Sequence, residues 1–143
     1  KFYDSGTMQK LQAAAVKDGV IWVTINSSAP GKEGFLKDAA TAKAAIAEHK
    51  NHASHYLLDH DGTIGHAYGA KTTPHMYIVD KYGVLRYHGA IDSNSSADPA
   101  TIASAENYVA GALDAILAGK RVGKTCTKPY GCSVKYASKK AGG

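Results

Sequence analysis

In the segment Tyr68-Gly69-Ala70-Lys71-Thr72-Thr73-Pro74-His75-Met76-Tyr77-Ile78-Val79-Asp80-Lys81-Tyr82-Gly83-Val84-Leu85-Arg86-Tyr87 an apolar strand opens on a proline. Proline donates no ladder hydrogen bond, so it is confined to the first position or the edge of a strand. The apolar run after it, the Lys81-Tyr82-Gly83 break and the second run predict a hairpin. The Thr73-Pro74 bond is the open question in this segment. Only about 5 to 6% of X-Pro bonds in folded proteins are cis, and the dipeptide by itself favours trans.

Outward from this hairpin, helix and strand patterns alternate, the arrangement of an α/β fold rather than of segregated classes. Residues 5–17 carry Met8, Leu11, Ala14 and Ala15 at helical spacing, and Asp18-Gly19 ends them. The run 20–26 is continuously β-branched and aromatic, as expected of a strand covered on both faces. After a loop with Pro30 and Gly31, residues 35–49 read as an alanine-rich helix turning Phe35, Ala39, Ala42, Ala45 and Ile46 inward. A short strand at 56–59 and a short helix at 63–68 follow, the helix stopped by Gly69. Asp92 to Pro99 reads as a polar loop. Asp98-Pro99 then starts a helix predicted to run unbroken to Leu117, with Ile102, Ala105, Tyr108, Val109, Ala112, Leu113 and Ile116 as its stripe.

The 143 residues suffice for one substantial core. The expected division is a body at 1–122 and a basic tail at 123–143 carrying Cys126 and Cys132. The net charge is +5, with Lys120, Arg121, Lys124, Lys128, Lys135, Lys139 and Lys140 gathered near the end. No helical or aromatic-interleaved pattern accompanies these cations, so they read as solvated charge rather than as a nucleic-acid or membrane surface. No run approaches the roughly 18 to 20 apolar residues of a membrane span.

Candidate chemistry is sparse. His49, His52 and His55 are spaced three apart, and His60, His66, His75 and His88 follow. They match no known ligand signature, and no metal is expected, which leaves a histidine-rich metal carrier as the weakest reading. Asp59, Asp61 and Asp80 sit where turns after strands place aspartate. Gly62, Gly65 and Gly69 lack the context of a phosphate cradle, and no cofactor is expected. Cys126 and Cys132 bracket Thr127-Lys128-Pro129-Tyr130-Gly131, a turn-forming sequence whose closure by a disulfide would stabilise the fold by roughly 2 kcal/mol.

The chain resembles the thioredoxin-like redoxins of the AhpC/TSA, peroxiredoxin-related type. The resemblance is carried by Phe2-Tyr3-Asp4-Ser5-Gly6-Thr7-Met8-Gln9, Val23-Thr24-Ile25-Asn26-Ser27-Ser28-Ala29-Pro30-Gly31-Lys32, Gly69 to Met76, Gly89-Ala90-Ile91-Asp92 and Thr127 to Tyr136. It spans nearly the whole chain with the segments in the expected order. It implies a thioredoxin-like fold, with a central mixed sheet flanked by helices. It also implies a cis bond at Thr73-Pro74 facing a reactive thiolate. In such redoxins a strand and a Cys-Pro-Phe-like segment precede the position of Lys1, so this chain is expected to be N-terminally incomplete and to lack the nucleophile. A missing interior strand would leave unpaired groups costing about 1 to 3 kcal/mol each against a total stability of about 5 to 15 kcal/mol. Upstream residues, or a strand from a second copy in a homodimer, are expected to complete the sheet.

The function implied is that of a thiol-based oxidoreductase, acting on peroxides or on a disulfide-bearing protein partner through a cysteine upstream of Lys1. Thr73 and Pro74 would form the cis-proline loop, Thr72, Thr73 and His75 would contact substrate, and Cys132 is the candidate resolving thiol. The alternative is a redox-inactive module that holds an extended peptide beside Thr73-Pro74 and uses its cysteines structurally. Three states stay open for Cys126 and Cys132: a disulfide with each other, reversible pairing of Cys132 with the upstream cysteine, or two free thiols. The resemblance favours a periplasmic or secreted location.

Overall fold

The computed structural model describes residues 1–138; Lys139 and Lys140 of the basic tail lie outside the described residues. The fold is α/β, and the chain forms two compact units. One comprises Gly6–Ala70 with the described residues from Val134 onward, the other Lys1–Ser5 with Lys71–Ser133. The stretch read as one tail from residue 123 is therefore divided between them at Ser133.

The first unit holds α1 (Thr7–Lys17), β1 (Val23–Asn26), α2 (Ala39–Glu48), β2 (His55–Leu58) and α3 (Thr63–Tyr68). Helix α1 buries Met8, Gln12 and Ala15, whereas Ala14 is exposed. The fully buried Gln12 went unnoticed in the periodicity because it is polar; its Oε1 accepts the His52 amide at 2.9 Å. Helix α2 starts at Ala39 rather than near Phe35. There Asp38 accepts the Thr41 amide at 2.9 Å while the Thr41 hydroxyl accepts the Asp38 amide at 3.0 Å. That reciprocal cap satisfies first-turn donors and fixes the start. Phe35 stays outside the helix against the His60 ring, and of the expected inward face only Ala42 is fully buried.

Strands β1 and β2 pair in parallel, Val23 opposite His55 and Ile25 opposite Leu57. The expectation that this strand is covered on both faces fails. Val23, Ile25 and Leu57 remain 42%, 40% and 41% exposed on one face. Branched side chains report that a segment prefers to be extended, not what lies over it. Helix α3 is present at the predicted 63–68 with Gly69 left-handed as its stop, and Gly62 before it is left-handed as well. Its N-terminal end is anchored by Asp59, which accepts the Ile64 amide at 3.0 Å, the Gly65 amide at 2.8 Å and the Ser27 hydroxyl at 2.6 Å. Burial alone would raise the Asp59 carboxyl; the Ser27, Gly65 and Ile64 hydrogen bonds outweigh it and hold it below the ordinary value.

The second unit holds β3 (Thr72–Thr73), β4 (Met76–Val79), β5 (Leu85–Gly89), α4 (Tyr108–Leu117) and β6 (Cys132–Ser133). The predicted hairpin is present as antiparallel β4 and β5, with a register shift at Ile78/Val79. Its turn is organised by Asp80, whose Oδ1 accepts the Tyr82 and Val84 amides at 2.9 and 3.0 Å. Helix α4 packs on both strands and buries Val109, Ala112 and Leu113. The single helix predicted from 99 to 117 is two pieces: a 3-10 turn at Pro99–Ser104 and α4. Ala105 between them is extended, Glu106 bonds back to Ser93 and Tyr108 to Ile91 on either side of the Asp92–Asn107 bridge pair, and the Asn107 side chain caps α4 through the Ala110 amide at 2.9 Å. The apolar stripe had continued through this break and concealed it.

The central mixed sheet implied by the resemblance is also corrected. The described strands form three separate two-stranded ladders: β1 with β2 in parallel, β3 with β6 antiparallel, and β4 with β5 antiparallel.

Candidate functional site

The residues singled out around Pro74 gather in the second unit. Thr72 lies opposite Ser133 and Thr73 opposite Cys132 in the β3–β6 ladder. The Thr73-Pro74 peptide bond is cis, and the Thr72 hydroxyl donates to the Pro74 carbonyl at 3.0 Å. Gly131 makes the approach of these segments possible. It has φ +126°, and a Cβ there would collide with the Thr73 carbonyl oxygen.

His75 continues the segment. The Lys71 amide donates to its Nδ1 at 3.3 Å, so Nδ1 carries no proton and the Tyr77 hydroxyl, 3.1 Å away, donates to it as well. The neutral ring then holds its proton on Nε2, which is buried without a hydrogen-bond partner. Burial, reinforced by the neighbouring His88 and Lys71, pushes the His75 pKa below its ordinary 6.5. Its ring stacks on Tyr77 with centroids 4.6 Å apart, and His88 lies 6.2 Å away.

The two cysteines go to different places. Both are free and exposed, so of the three states left open the Cys126–Cys132 disulfide is not the one seen. The intervening turn does not bring its ends together: Cys132 is held opposite Thr73, whereas Cys126 forms a bridge with His88 beside β5. The His88 amide donates to the Thr125 carbonyl and the Thr127 amide to the His88 carbonyl, both at 3.1 Å. Cys126 Sγ stands 4.0 Å from His88 Nδ1.

Tyr77 was not singled out in the sequence, and His88 was weighed only among the histidines as a metal ligand. They are cross-strand partners in the β4–β5 register, and their pairing follows from the hairpin only once the shift at Ile78/Val79 is known. A second cluster also escaped notice. Asp92 is 3% exposed, accepts the Tyr130 hydroxyl and the Asn94 amide on Oδ1, and has Lys1 Nζ 3.7 Å from Oδ2. Lys1 Nζ further donates to the Asn94 carbonyl at 2.7 Å. Beside this cluster lies a cavity of about 350 Å³ lined by Asp92, Ser93, Ser95, Tyr108, Thr127, Lys128 and Tyr130. Among the described residues no group of three or more His, Cys, Asp or Glu side chains could hold a metal ion. Nor is any described helix long and apolar enough to cross a membrane.

No protein-family model matches the chain, and no curated protein matches it. Solved structures do. The chain is similar to the crystal structure of a hypothetical protein from Sinorhizobium meliloti 1021, at 26% identity and a TM-score of 0.77, over 94% of this chain and 71% of that one. It is equally similar to the crystal structure of an uncharacterized conserved protein from Geobacillus kaustophilus, at 28% identity and a TM-score of 0.77, over 95% of this chain and 70% of that one.

Proposed function

We propose that the protein is a thioredoxin-like thiol oxidoreductase of the AhpC/TSA redoxin type, with the Thr73-Pro74 loop as its substrate-facing edge and Cys132 as its resolving thiol. One observation carries the reading: Cys132 pairs directly with Thr73, the residue that precedes Pro74 in the bend between β3 and β4. A resolving thiol must be exposed, and Cys132 is a free, exposed thiol beside the Thr73-Pro74 bend, which supports the reading.

In the proposed reaction the attacking thiolate comes from outside these 143 residues. It displaces one oxygen of a peroxide, breaking the O–O bond and leaving a sulfenic acid and water or an alcohol. The Cys132 thiol then attacks the sulfenic sulfur, forming a disulfide and releasing water. An external dithiol returns both sulfurs to the reduced state. With a disulfide substrate the first product is a mixed disulfide, and Cys132 displaces the bound thiol.

The test uses the natural full-length polypeptide in peroxide-consumption and disulfide-reduction assays, alongside Cys132→Ser. The expected outcome is turnover in the wild type and, in the variant, loss of turnover with a trappable sulfenic acid or mixed disulfide. Turnover unaffected by Cys132→Ser removes the resolving role. Absence of both activities in the wild type removes the redox reading and leaves the peptide-holding module.

A further inference from the structure

We infer that Cys126 and His88 form a thiol–imidazole pair, a second reactive thiol that takes the sulfur of a small disulfide. The pair is independent of the proposed function, since it needs neither Cys132 nor a thiol from elsewhere.

Three features of its surroundings support this. First, the backbone hydrogen bonds of His88 to Thr125 and Thr127 hold Cys126 against the imidazole, with Sγ 4.0 Å from Nδ1. A general base must lie within reach of the proton it removes, and this separation is at the outer limit for a sulfur donor, as is common before substrate is bound. Second, Cys126 is exposed, so a small disulfide can reach the sulfur. Third, the His88 ring is fixed among other rings while its Nδ1 faces Cys126: Tyr77 lies parallel to it at 6.3 Å and the His75 ring is 6.2 Å away.

In the reaction, Cys126 Sγ gives its proton to His88 Nδ1 and attacks one sulfur of the disulfide R–S–S–R. The S–S bond breaks, and the leaving RS⁻ takes the proton back from His88. The products are a Cys126 mixed disulfide and one RSH; Cys126 is oxidised by the disulfide that it reduces.

Cys132 is the internal control, because it is also exposed and among the described residues makes no hydrogen bond to an imidazole. The experiment treats the chain with bis(hydroxyethyl) disulfide, an uncharged probe that the nearby lysines do not attract, and follows each cysteine's adduct by peptide mass mapping. General-base assistance contributes about 10²-fold or more when fully expressed. The expected result is at least about tenfold faster modification of Cys126 than of Cys132, lost in His88→Gln with the Cys132 rate unchanged. Equal rates at the two cysteines in the wild type, or a Cys126 rate indifferent to His88→Gln, overturn the proposal. If the variant does not fold, the wild-type ratio decides alone.

Discussion

Gly131 holds φ +126° directly beside the Thr73 carbonyl, and no other residue type combines that backbone with that clearance. Replacing it with alanine forces the 130–132 segment away from Thr73 and breaks the β3–β6 pairing that positions Cys132. The expected cost of Gly131→Ala is about 2 to 3 kcal/mol by urea denaturation. Gly123→Ala is the control: a Cβ there meets nothing within 4 Å, and its midpoint is expected to stay near that of the wild type. An unchanged midpoint for Gly131→Ala would mean that the close approach is not needed. At this scale the Thr73-Pro74 position was legible because proline at a strand mouth is a rare, constrained choice. The neighbours of His75 were not legible. His88 comes near it through the hairpin register, and Cys126 reaches His88 on a returning segment, neither of which leaves a local signature.

Among the elements, α3 was readable because Gly69 stops it with left-handed backbone after the Asp61-Gly62 break; that Gly62 is left-handed too emerged only in the structure. The helix expected at 99–117 was misread for the opposite reason. Its apolar spacing persists across a break made by Ala105 and by the Asn107 cap. The cap is testable by itself. Asn107→Ala removes the acceptor for the Ala110 amide and is expected to destabilise the protein by about 1 kcal/mol in urea denaturation, with Asn107→Asp close to wild type. Equal stability of Asn107→Ala and wild type would place the start of α4 under the control of the Asp92–Asn107 bridge instead. The same contest between local patterning and capping moved the start of α2 from Phe35 to Ala39, where Asp38 and Thr41 satisfy the first turn.

For the molecule as a whole, the titrating groups predict how stability depends on pH. The Asp59 and Asp80 carboxyls lie below their ordinary 3.8: at Asp59 hydrogen bonds overcome burial, and at Asp80 the Val84 amide leads, helped by Tyr82 and Arg86. The stability they contribute is present above 3.8 and is lost as pH falls through the folded values. His75 acts in the same direction: its folded pKa is below 6.5, so the unfolded chain binds the extra proton and stability declines as pH drops below about 6.5. Tyr87, Tyr130 and Tyr136 are all raised above 10.0 by burial first, with Asp92 adding to Tyr130 and Asp59 to Tyr136. Their stabilisation is complete below 10.0 and is lost above it. Urea midpoints are thus expected to plateau between about pH 7 and 10 and to fall on both sides, with His75→Gln flattening the decline below 6.5. A midpoint that rises on acidification through 6.5 would contradict the His75 assignment. The alternation of helix and strand, the hairpin at Tyr82-Gly83 and the turn glycines were determined by the sequence itself, because propensity, periodicity and left-handed backbone act over a few neighbouring residues. The separation into three ladders, the parting of Cys126 from Cys132 and the pairing of Cys126 with His88 were decided only in the tertiary structure. Each joins residues distant along the chain, and which distant segments meet is settled by the competition of all hydrogen bonds and buried surfaces at once.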